Sequence, residues 1–332
     1  MNYIKLPHTD FEVTRMAFGA WPIAGGFNWG PQDEKESKAT LRAAYDEGIN
    51  FFDTAKGYGA GKSEELISKE LGDVRHKIFI ASKVSPDELA YPAIKEACHD
   101  RLTSLKTDYI DLLQIHWPNW EVPAEDTFKG LEELKKEGKI RAYGVSNYGP
   151  KDLNDAIDAG AKLTSNQLPY NLLWRAIEYE IVPEAQKHHV PTLCYMPIMQ
   201  GMLAGKFNNA DQVPEDRART RHFSPRRGQI RHKEQGCEKL TFETIAKIKQ
   251  VAQEIEVSMA DMCMSWLMAQ PSVASILVGA RNVDQVKRNI KALNVQLPDE
   301  IRQKLTDITK PLKEALGKNP DLWQSGADGR YR

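Results

Sequence analysis

The chain has 332 residues, 41% hydrophobic and 27% charged, a balance typical of a globular protein with a sizeable core rather than of a disordered chain. Its 45 basic and 46 acidic side chains give a formal net charge of −1, so no overall positive charge points to nucleic acid or to an anionic membrane. We expect a cytoplasmic protein with reduced thiols, because no apolar run approaches the roughly 18 residues of a membrane span, no signal segment follows the N-terminus, and the four cysteines lack metal-site spacing.

Compact apolar and β-branched runs alternate along the chain with stretches of helical period. Gly48, Gly138 and Gly160 each follow a helical stretch, where glycine commonly ends a helix. The eight predicted strands are residues 16–19, 50–53, 78–84, 110–116, 140–146, 163–167, 191–195 and 275–278. The predicted helices are residues 34–47, 62–71, 93–105, 124–137, 151–159, 176–188, 242–254, 259–269 and 282–293.

Eight successive strand–helix units predict the α/β class and a closed (β/α)₈ TIM barrel, with a doubly wound open sheet as the rival. We predict a single domain over residues 1–332. A long segment, 201–239, interrupts the alternation after the seventh strand, and a connection of that length is uncommon unless it is functional. In a barrel it would lie over the C-terminal face, where active sites form. It is rich in arginine, at Arg217, Arg219, Arg221, Arg226, Arg227 and Arg231.

Polar side chains stand at the ends of most of the predicted strands. In chain order they are Asp53, Lys83, His116, Ser146 with Asn147, Gln167 and Tyr195, and Tyr58 lies in the loop after Asp53. In a barrel these groups would converge on one rim, where ionisable side chains are costly unless they are paired or used. The motifs of P-loop nucleotidases, zinc proteases and serine hydrolases are absent from the sequence, and no metal site is expected.

This set of side chains can exchange a proton with a carbonyl oxygen. A tyrosine has an ordinary pKa of about 10, and a nearby ammonium group lowers that pKa. Lys83 could supply the ammonium, with Asp53 holding it in an ion pair. Tyr58 would then protonate a carbonyl oxygen, and His116 would orient that oxygen by a hydrogen bond. Such a site requires a hydride donor as its partner.

Several motifs, in order along nearly the whole chain, resemble those of the aldo-keto reductases. Residues 48–59 (GINFFDTAKGYG) and 110–118 (IDLLQIHWP) are similar to two signatures of that family. Residues 144–148 (GVSNY) and 166–172 (NQLPYNL) match two further strand ends. Residues 201–206 (GMLAGK) and the region from Gly279 to Asn289 are most similar to bacterial enzymes and to the β subunits of voltage-gated potassium channels.

The resemblance implies a catalytic tetrad of Asp53, Tyr58, Lys83 and His116, with NADPH extended across the rim. It implies hydrogen bonds to the nicotinamide end from Ser146, Asn147 and Gln167, and stacking on Tyr195. The further cofactor contacts that it implies are Trp21, Asp53, Met196, Pro197, Ile198, Gln200, Leu203 and Lys206 and, at the adenosine 2′-phosphate, Gly279, Arg281, Gln285, Arg288 and Asn289. The implied substrate contacts are Trp21, Tyr58, His116 and Trp117.

Arginines at positions 281 and 288 favour NADP over NAD, because guanidinium groups pair with a 2′-phosphate. We therefore predict an NADPH-dependent reductase of aldehydes or ketones. The alternatives are an NADP(H)-binding redox-sensing regulatory subunit with weak catalysis and, less in keeping with the motifs, a barrel isomerase or lyase. The sequence leaves open the substrate, the reaction direction, the oligomeric state, and whether the C-terminal residues 320–332 reach the site.

Overall fold

Eight parallel strands close into a barrel in the computed structural model, which describes residues 1–26 and 29–332. The (β/α)₈ prediction is therefore confirmed. The strands are β1 (Tyr3–Lys5), β2 (Glu12–Thr14), β3 (Met16–Gly19), β4 (Phe51–Asp53), β5 (Phe79–Val84), β6 (Ile110–Ile115), β7 (Ile140–Ser146), β8 (Asn166–Pro169), β9 (Thr192–Tyr195) and β10 (Val273–Val278). Strands β3 to β10 follow one another around the barrel, and β10 closes it against β3.

Helices cover the outside of the barrel, so its strands β3 to β10 are largely buried on both faces. The helices are α1 (Glu34–Asp46), α2 (Lys62–Leu71), α3 (Ala93–Leu105), α4 (Ala124–Lys136), α5 (Pro150–Asp158), α6 (Ile181–Lys187), α7 (Glu238–Glu254), α8 (Met259–Met268), α9 (Val283–Ile290) and α10 (Asp299–Leu316). No helix in residues 1–26 and 29–332 has the length and apolar character needed to cross a membrane. That residues 1–332 form a single domain stays a prediction.

The barrel interior changes from apolar to polar along the strands. Phe51 and Phe79 are paired neighbours on β4 and β5, and their rings meet edge to face in a buried apolar cluster. Because every second residue of a strand faces the same side, Asp53 and Lys83 continue the same inward rows toward the C-terminal end. The register sets Lys83 opposite Gln114 of β6. The C-terminal rim is therefore lined by polar side chains, and the apolar cluster fills the barrel interior below them.

The strand predictions hold apart from one shift. Thr164 and Ser165 bond to β7, but the chain bonds to both neighbouring strands only from Asn166 onward. The predicted helix 176–188 was too long, because α6 begins at Ile181. Pro183 explains this, since a proline is tolerated in the first turn of a helix but not in its interior. The predicted helix 242–254 begins earlier, at Glu238.

The strand pair β1–β2 and helix α10 were not predicted. The antiparallel pair β1–β2 adds Leu6 and Val13 to the apolar cluster inside the barrel. Helix α10 contains Pro311 in its interior, a residue that ordinarily ends a helix and so hides the helical pattern.

The long segment between β9 and α7 is anchored by its own buried residues. Ala218 and the run from Thr220 to Phe223 are buried. The Arg221 guanidinium donates hydrogen bonds to the carbonyl oxygens of Leu316 (2.7 Å) and Asn319 (2.8 Å) at the end of α10. The segment is thereby fixed to the C-terminal region of the chain.

Gly236 packs against Phe223 in the middle of the same segment. Its φ is +79°, and a Cβ there would overlap the carbonyl oxygen of Phe223. We expect Gly236→Ala to lower the free energy of unfolding by about 1–3 kcal/mol, the usual cost of a non-glycine residue held in such a conformation. Urea denaturation measures this change in the free energy of unfolding. The control is Gly228→Ala, since a Cβ there stays 4.0 Å from the nearest atom, Glu215 Oε2, without a positive φ. Equal stabilities of the two variants would contradict this account.

Candidate active site

A buried ion pair lies at the base of the C-terminal rim. The Lys83 ammonium is 2.6 Å from Asp53 Oδ1, and the two side chains are 1% and 3% exposed. The same ammonium donates to the carbonyl oxygen of Thr54 (2.9 Å) and to the phenol oxygen of Tyr58 (3.3 Å). All three N–H groups of Lys83 are thus used, and one of them fixes its distance to Tyr58.

Two glutamine amides complete the hydrogen bonding of Asp53. Gln167 Nε2 donates to Asp53 Oδ2 at 2.7 Å, and Gln114 Nε2 donates to the same oxygen at 3.2 Å. Gln167 was expected to hold the nicotinamide amide, and its own amide is directed to Asp53 here. Gln114 was missed by the sequence analysis. Its signal is the period of two, which puts it on the same face of β6 as the inward Leu112.

Burial dominates the ionisation of Tyr58. Desolvation raises the pKa of the phenol although the adjacent Lys83 ammonium lowers it. The expectation that Lys83 brings the pKa below its ordinary value is therefore not met in the protein alone. The pKa of Lys83 is raised, because the attraction of Asp53 and Tyr58 outweighs the opposing effect of burial. Tyr58 is consequently a neutral O–H donor next to a fixed positive charge.

His116 stands beside Tyr58 with its ring edge-on, 6.2 Å between centroids. Burial, assisted by the charges of Lys83 and Arg101, lowers the pKa of His116 to about 3. Its imidazole is therefore neutral and can hydrogen-bond a carbonyl oxygen without carrying charge. Trp21 also stacks against the phenol ring of Tyr58, with 5.6 Å between ring centroids.

Asn147 connects the rim to the end of the chain. It has a φ of +61°, a left-handed conformation that asparagine tolerates better than most residues. Its amide nitrogen donates to the His116 carbonyl and to Ser146 Oγ, both at 3.0 Å. Its amide oxygen accepts hydrogen bonds from the hydroxyls of Tyr195 and Tyr331, both at 2.8 Å. The Asn147 side chain, expected to hold the nicotinamide, is fully engaged within the protein.

The structure brings the rim residues to one cavity of about 1060 Å³, at the upper end of typical ligand sites. Lys83 lies buried behind its wall. The predicted cofactor and substrate residues that line it are Trp21, Asp53, Tyr58, His116, Trp117, Ser146, Asn147, Gln167, Tyr195, Met196, Pro197, Ile198, Gln200, Lys206, Gly279, Arg281, Gln285, Arg288 and Asn289. Leu203 is the exception: it is fully buried in the hydrophobic core and is not among the residues that line the cavity, so its cofactor contact stays a prediction.

Five of the six arginines of the long segment, all but Arg226, divide into two groups. Arg221 and Arg227 are structural, since each pairs with a carboxylate, Glu234 and Glu238 respectively. Three others line the cavity and form no ion pair within the described residues, namely Arg217, Arg219 and Arg231. The Nε of Arg219 is buried without a hydrogen-bond partner in that part of the chain. Burial, together with the charge of Arg231, lowers the pKa of Arg219. Asp216 opposes this lowering, but among the described residues no carboxylate forms an ion pair with the three arginines, which concentrate positive charge at the cavity.

The far end of the cavity is built around α9. The Arg281 guanidinium donates to Gln32 Oε1 (2.7 Å), and Gln285 Oε1 accepts from the Arg281 backbone N–H (2.8 Å). Asn289 donates to the Gly279 carbonyl at 3.3 Å. Arg288 is exposed and lines the same end, and it forms no ion pair with another described residue.

The C-terminal residues reach the site. Trp323 stacks on Tyr195, with 6.3 Å between ring centroids, and both Trp323 and Arg330 line the cavity. Trp117 contacts Trp323 and Tyr331 edge-on. The segment left open by the sequence is therefore one wall of the cavity.

Comparison with known proteins agrees with the family resemblance that the sequence motifs indicate. The sequence profile of the Aldo/keto reductase family matches residues 15–310. Aldo-keto reductase YhdN of Bacillus subtilis is 35% identical over 297 residues, 86% of this chain and 87% of that protein. The NADH-specific methylglyoxal reductase of Escherichia coli is 28% identical over 94% of this chain and its own full length. A probable voltage-gated potassium channel subunit beta of Arabidopsis thaliana is 28% identical over 89% and 92% of the two chains.

Solved structures are similar over nearly the whole chain. The glycerol dehydrogenase AKR11B4 from Gluconobacter oxydans superposes with a TM-score of 0.79 at 30% identity, covering 93% of this chain and 95% of that one. An aldo/keto reductase from Klebsiella pneumoniae in complex with NADP and acetate has a TM-score of 0.73 at 25% identity, covering 92% and 95%.

The lowered pKa of His116 predicts a flat titration. Because that pKa is about 3, we expect the ring chemical shifts of His116 to stay constant between about pH 8 and pH 5 in the folded protein. NMR measures this, with the resonance assigned by its loss in His116→Gln. In urea-unfolded protein the same ring should titrate near pH 6.5, the ordinary value. A midpoint above about pH 5 in the folded state would contradict the prediction.

Proposed function

Because the chain belongs to the aldo/keto reductase family, we propose that it reduces aldehydes or ketones to alcohols with NADPH, with Tyr58 as the proton donor. NAD(P)H-dependent carbonyl reduction is the activity of the family. The observation that carries the specific proposal is the phenol oxygen of Tyr58, held 3.3 Å from the buried Lys83 ammonium at the base of the cavity.

The residues around Tyr58 suit proton transfer to a carbonyl oxygen. The nicotinamide, when bound, supplies a hydride to the carbonyl carbon, and the carbonyl π bond breaks toward oxygen. Tyr58 passes its proton to that oxygen, and Lys83 stabilises the phenolate that remains until water reprotonates it. Neutral His116 holds the carbonyl oxygen by a hydrogen bond, and Asp53 keeps Lys83 in place. Trp21 and Trp117 exclude water from the reacting atoms.

The cavity fits an elongated anionic cofactor. It is lined by Tyr195 and Asn147 from the barrel rim and by Arg281 and Arg288 from the region of α9. It is also lined by Arg217, Arg219 and Arg231, whose guanidinium groups form no ion pair among the described residues and are suited to bind phosphate oxygens by charge-assisted hydrogen bonds. We assign these three to the pyrophosphate and Arg288 to the 2′-phosphate. This assignment favours NADPH over NADH.

A second candidate is a cofactor-sensing regulatory subunit with weak catalysis. It is favoured by the 28% identity to a probable potassium channel subunit beta. A reductase and a regulatory sensor would both bind NADPH, but a sensor would oxidise it only slowly in the presence of a carbonyl substrate. Initial rates of NADPH oxidation with a panel of aldehydes, ketones and sugars distinguish the two. Tight NADPH binding without turnover on any of them would favour the sensor.

Removing the Tyr58 hydroxyl tests the proton donor. We expect Tyr58→Phe to lower kcat by about 10²–10⁴-fold, the usual contribution of general acid catalysis, while the Kd for NADPH changes less than about twofold, because Tyr58 contributes its proton to the substrate. Stopped-flow turnover and fluorescence titration measure the two. The control is Tyr3→Phe on exposed β1, which should match the wild type. Retained turnover in Tyr58→Phe would refute the role.

Two substitutions separate the proposed phosphate contacts. We expect Arg288→Gln to raise the Kd for NADPH about tenfold and leave that for NADH unchanged, because only NADPH carries a 2′-phosphate. Arg219→Leu should weaken both cofactors, because both carry a pyrophosphate. Each lost charged hydrogen bond corresponds to about 1.5–3 kcal/mol. Isothermal calorimetry with each cofactor measures this.

Lys287→Gln is the matched control for the 2′-phosphate contact. Lys287 neighbours Arg288 on α9 and is exposed, but it is not among the cavity residues. We expect Lys287→Gln to leave the affinities for NADPH and for NADH unchanged. If Arg288→Gln raised the Kd values for NADPH and NADH equally, Arg288 would not be the contact to the 2′-phosphate.

A further inference from the structure

Arg330 is a cation held rigidly in an aromatic wall. Its guanidinium lies over the Trp117 ring, 3.7 Å from the ring centre, and also faces Trp323 at 5.6 Å. Its Nε and Nη2 each donate to one oxygen of Asp321, both at 2.8 Å. The Asp321 carboxylate is fully buried. The pair is therefore fixed in orientation by two parallel hydrogen bonds and by the rings beside it.

The backbone around this pair is also fixed. Asp321 Oδ1 accepts hydrogen bonds from the backbone N–H groups of Trp323 (3.0 Å) and Gln324 (3.1 Å). One residue after Arg330, the Tyr331 hydroxyl donates to Asn147. Asn147 in turn bonds to the carbonyl of His116. The position of Arg330 is thus tied to the backbone of a proposed catalytic residue.

The third guanidinium nitrogen of Arg330, Nη1, does not bond to Asp321. Nη1 is not fully buried and has no hydrogen-bond partner within residues 1–26 and 29–332, and Arg330 lines the same cavity as Tyr58 and His116. It carries two N–H donors on a planar group that cannot lose its charge. Trp117, which supports the guanidinium, is the residue directly after His116 in the chain. The Arg330 guanidinium therefore lies beside the residue that follows a proposed catalytic histidine, in the wall of the same cavity.

We propose that Arg330 is a specificity-determining residue: through Nη1 it binds an oxygen acceptor of the substrate other than the reacting carbonyl. The acceptor is a hydroxyl or a carboxylate oxygen. The inference rests on the proposed carbonyl reduction and names its substrate class, polar carbonyl compounds with a second oxygen function. A site built to hydrogen-bond such an oxygen discriminates strongly against analogues without it, because the donor is then left unpaired in an aromatic surrounding.

The test compares substrates of matched length. Glyceraldehyde against propanal reports recognition of hydroxyl groups, and succinic semialdehyde against butanal reports recognition of a carboxylate. In Arg330→Lys the ammonium can still pair with buried Asp321, but it cannot present the free planar donor. We expect at least one of the two kcat/KM ratios, polar over plain, to fall tenfold or more. The ratio that falls identifies the acceptor.

Two further variants guard against a purely structural effect. Arg332→Lys changes a neighbouring arginine that pairs with Asp155 at 2.6 Å and is not among the cavity residues, so both ratios should stay unchanged. The double variant Arg330→Met with Asp321→Asn removes both charges and so leaves no buried carboxylate unpaired. It should reproduce the loss seen in Arg330→Lys. Ratios that are unchanged, or that fall equally in Arg332→Lys, would overturn the proposal.

Binding separates this inference from the proposed function. Calorimetry of glyceraldehyde and of succinic semialdehyde with the wild type and Arg330→Lys requires no turnover. If the wild type reduces none of the four aldehydes but the variant loses at least tenfold in affinity for a polar one, the reductase proposal fails and the assignment of Arg330 stands. If affinity and both ratios are equal in the two proteins, the assignment fails whatever the turnover.

Discussion

The buried pair of Lys83 and Asp53 is the interaction on which the rest of the site depends. Two charges taken out of water cost several kcal/mol each unless every donor and acceptor is satisfied. Here the three N–H groups of Lys83 and both oxygens of Asp53 are used, the latter with the amides of Gln114 and Gln167. These residues come from four strands, so only the closed barrel in this register can pair them. The phenol of Tyr58 takes its position from the third donor of Lys83.

Burial then sets the protonation states around that pair. The same desolvation that keeps Tyr58 protonated lowers the pKa of His116. The proposed proton donor and the proposed orienting group are both neutral, and the nearby positive charge is that of Lys83. A negative charge that develops on a bound carbonyl oxygen would meet two hydrogen-bonding groups and one fixed cation, in surroundings that water reaches poorly.

The long segment and the C-terminal residues act as one structural unit. Arg221 bonds to the carbonyls of Leu316, the last residue of α10, and of Asn319, and just beyond them Asp321 holds Arg330. The part of the chain that carries Arg217, Arg219 and Arg231 is therefore linked by direct hydrogen bonds to the part that forms the C-terminal wall of the cavity. Two regions that are distant in sequence support each other.

The sequence by itself determined the barrel and the residues of the rim, because the alternation of strands and helices is local and the parallel strands all end at one face. Asp53, Tyr58, Lys83 and His116 follow from that pattern together with the family resemblance. Only the tertiary structure decided what each group bonds to. Gln167 turned out to serve Asp53, the pKa of Tyr58 is raised rather than lowered, and the residues around Arg330 form a wall. The reason is that burial and long-range hydrogen bonds depend on which distant segments meet, and no local pattern in the chain records that.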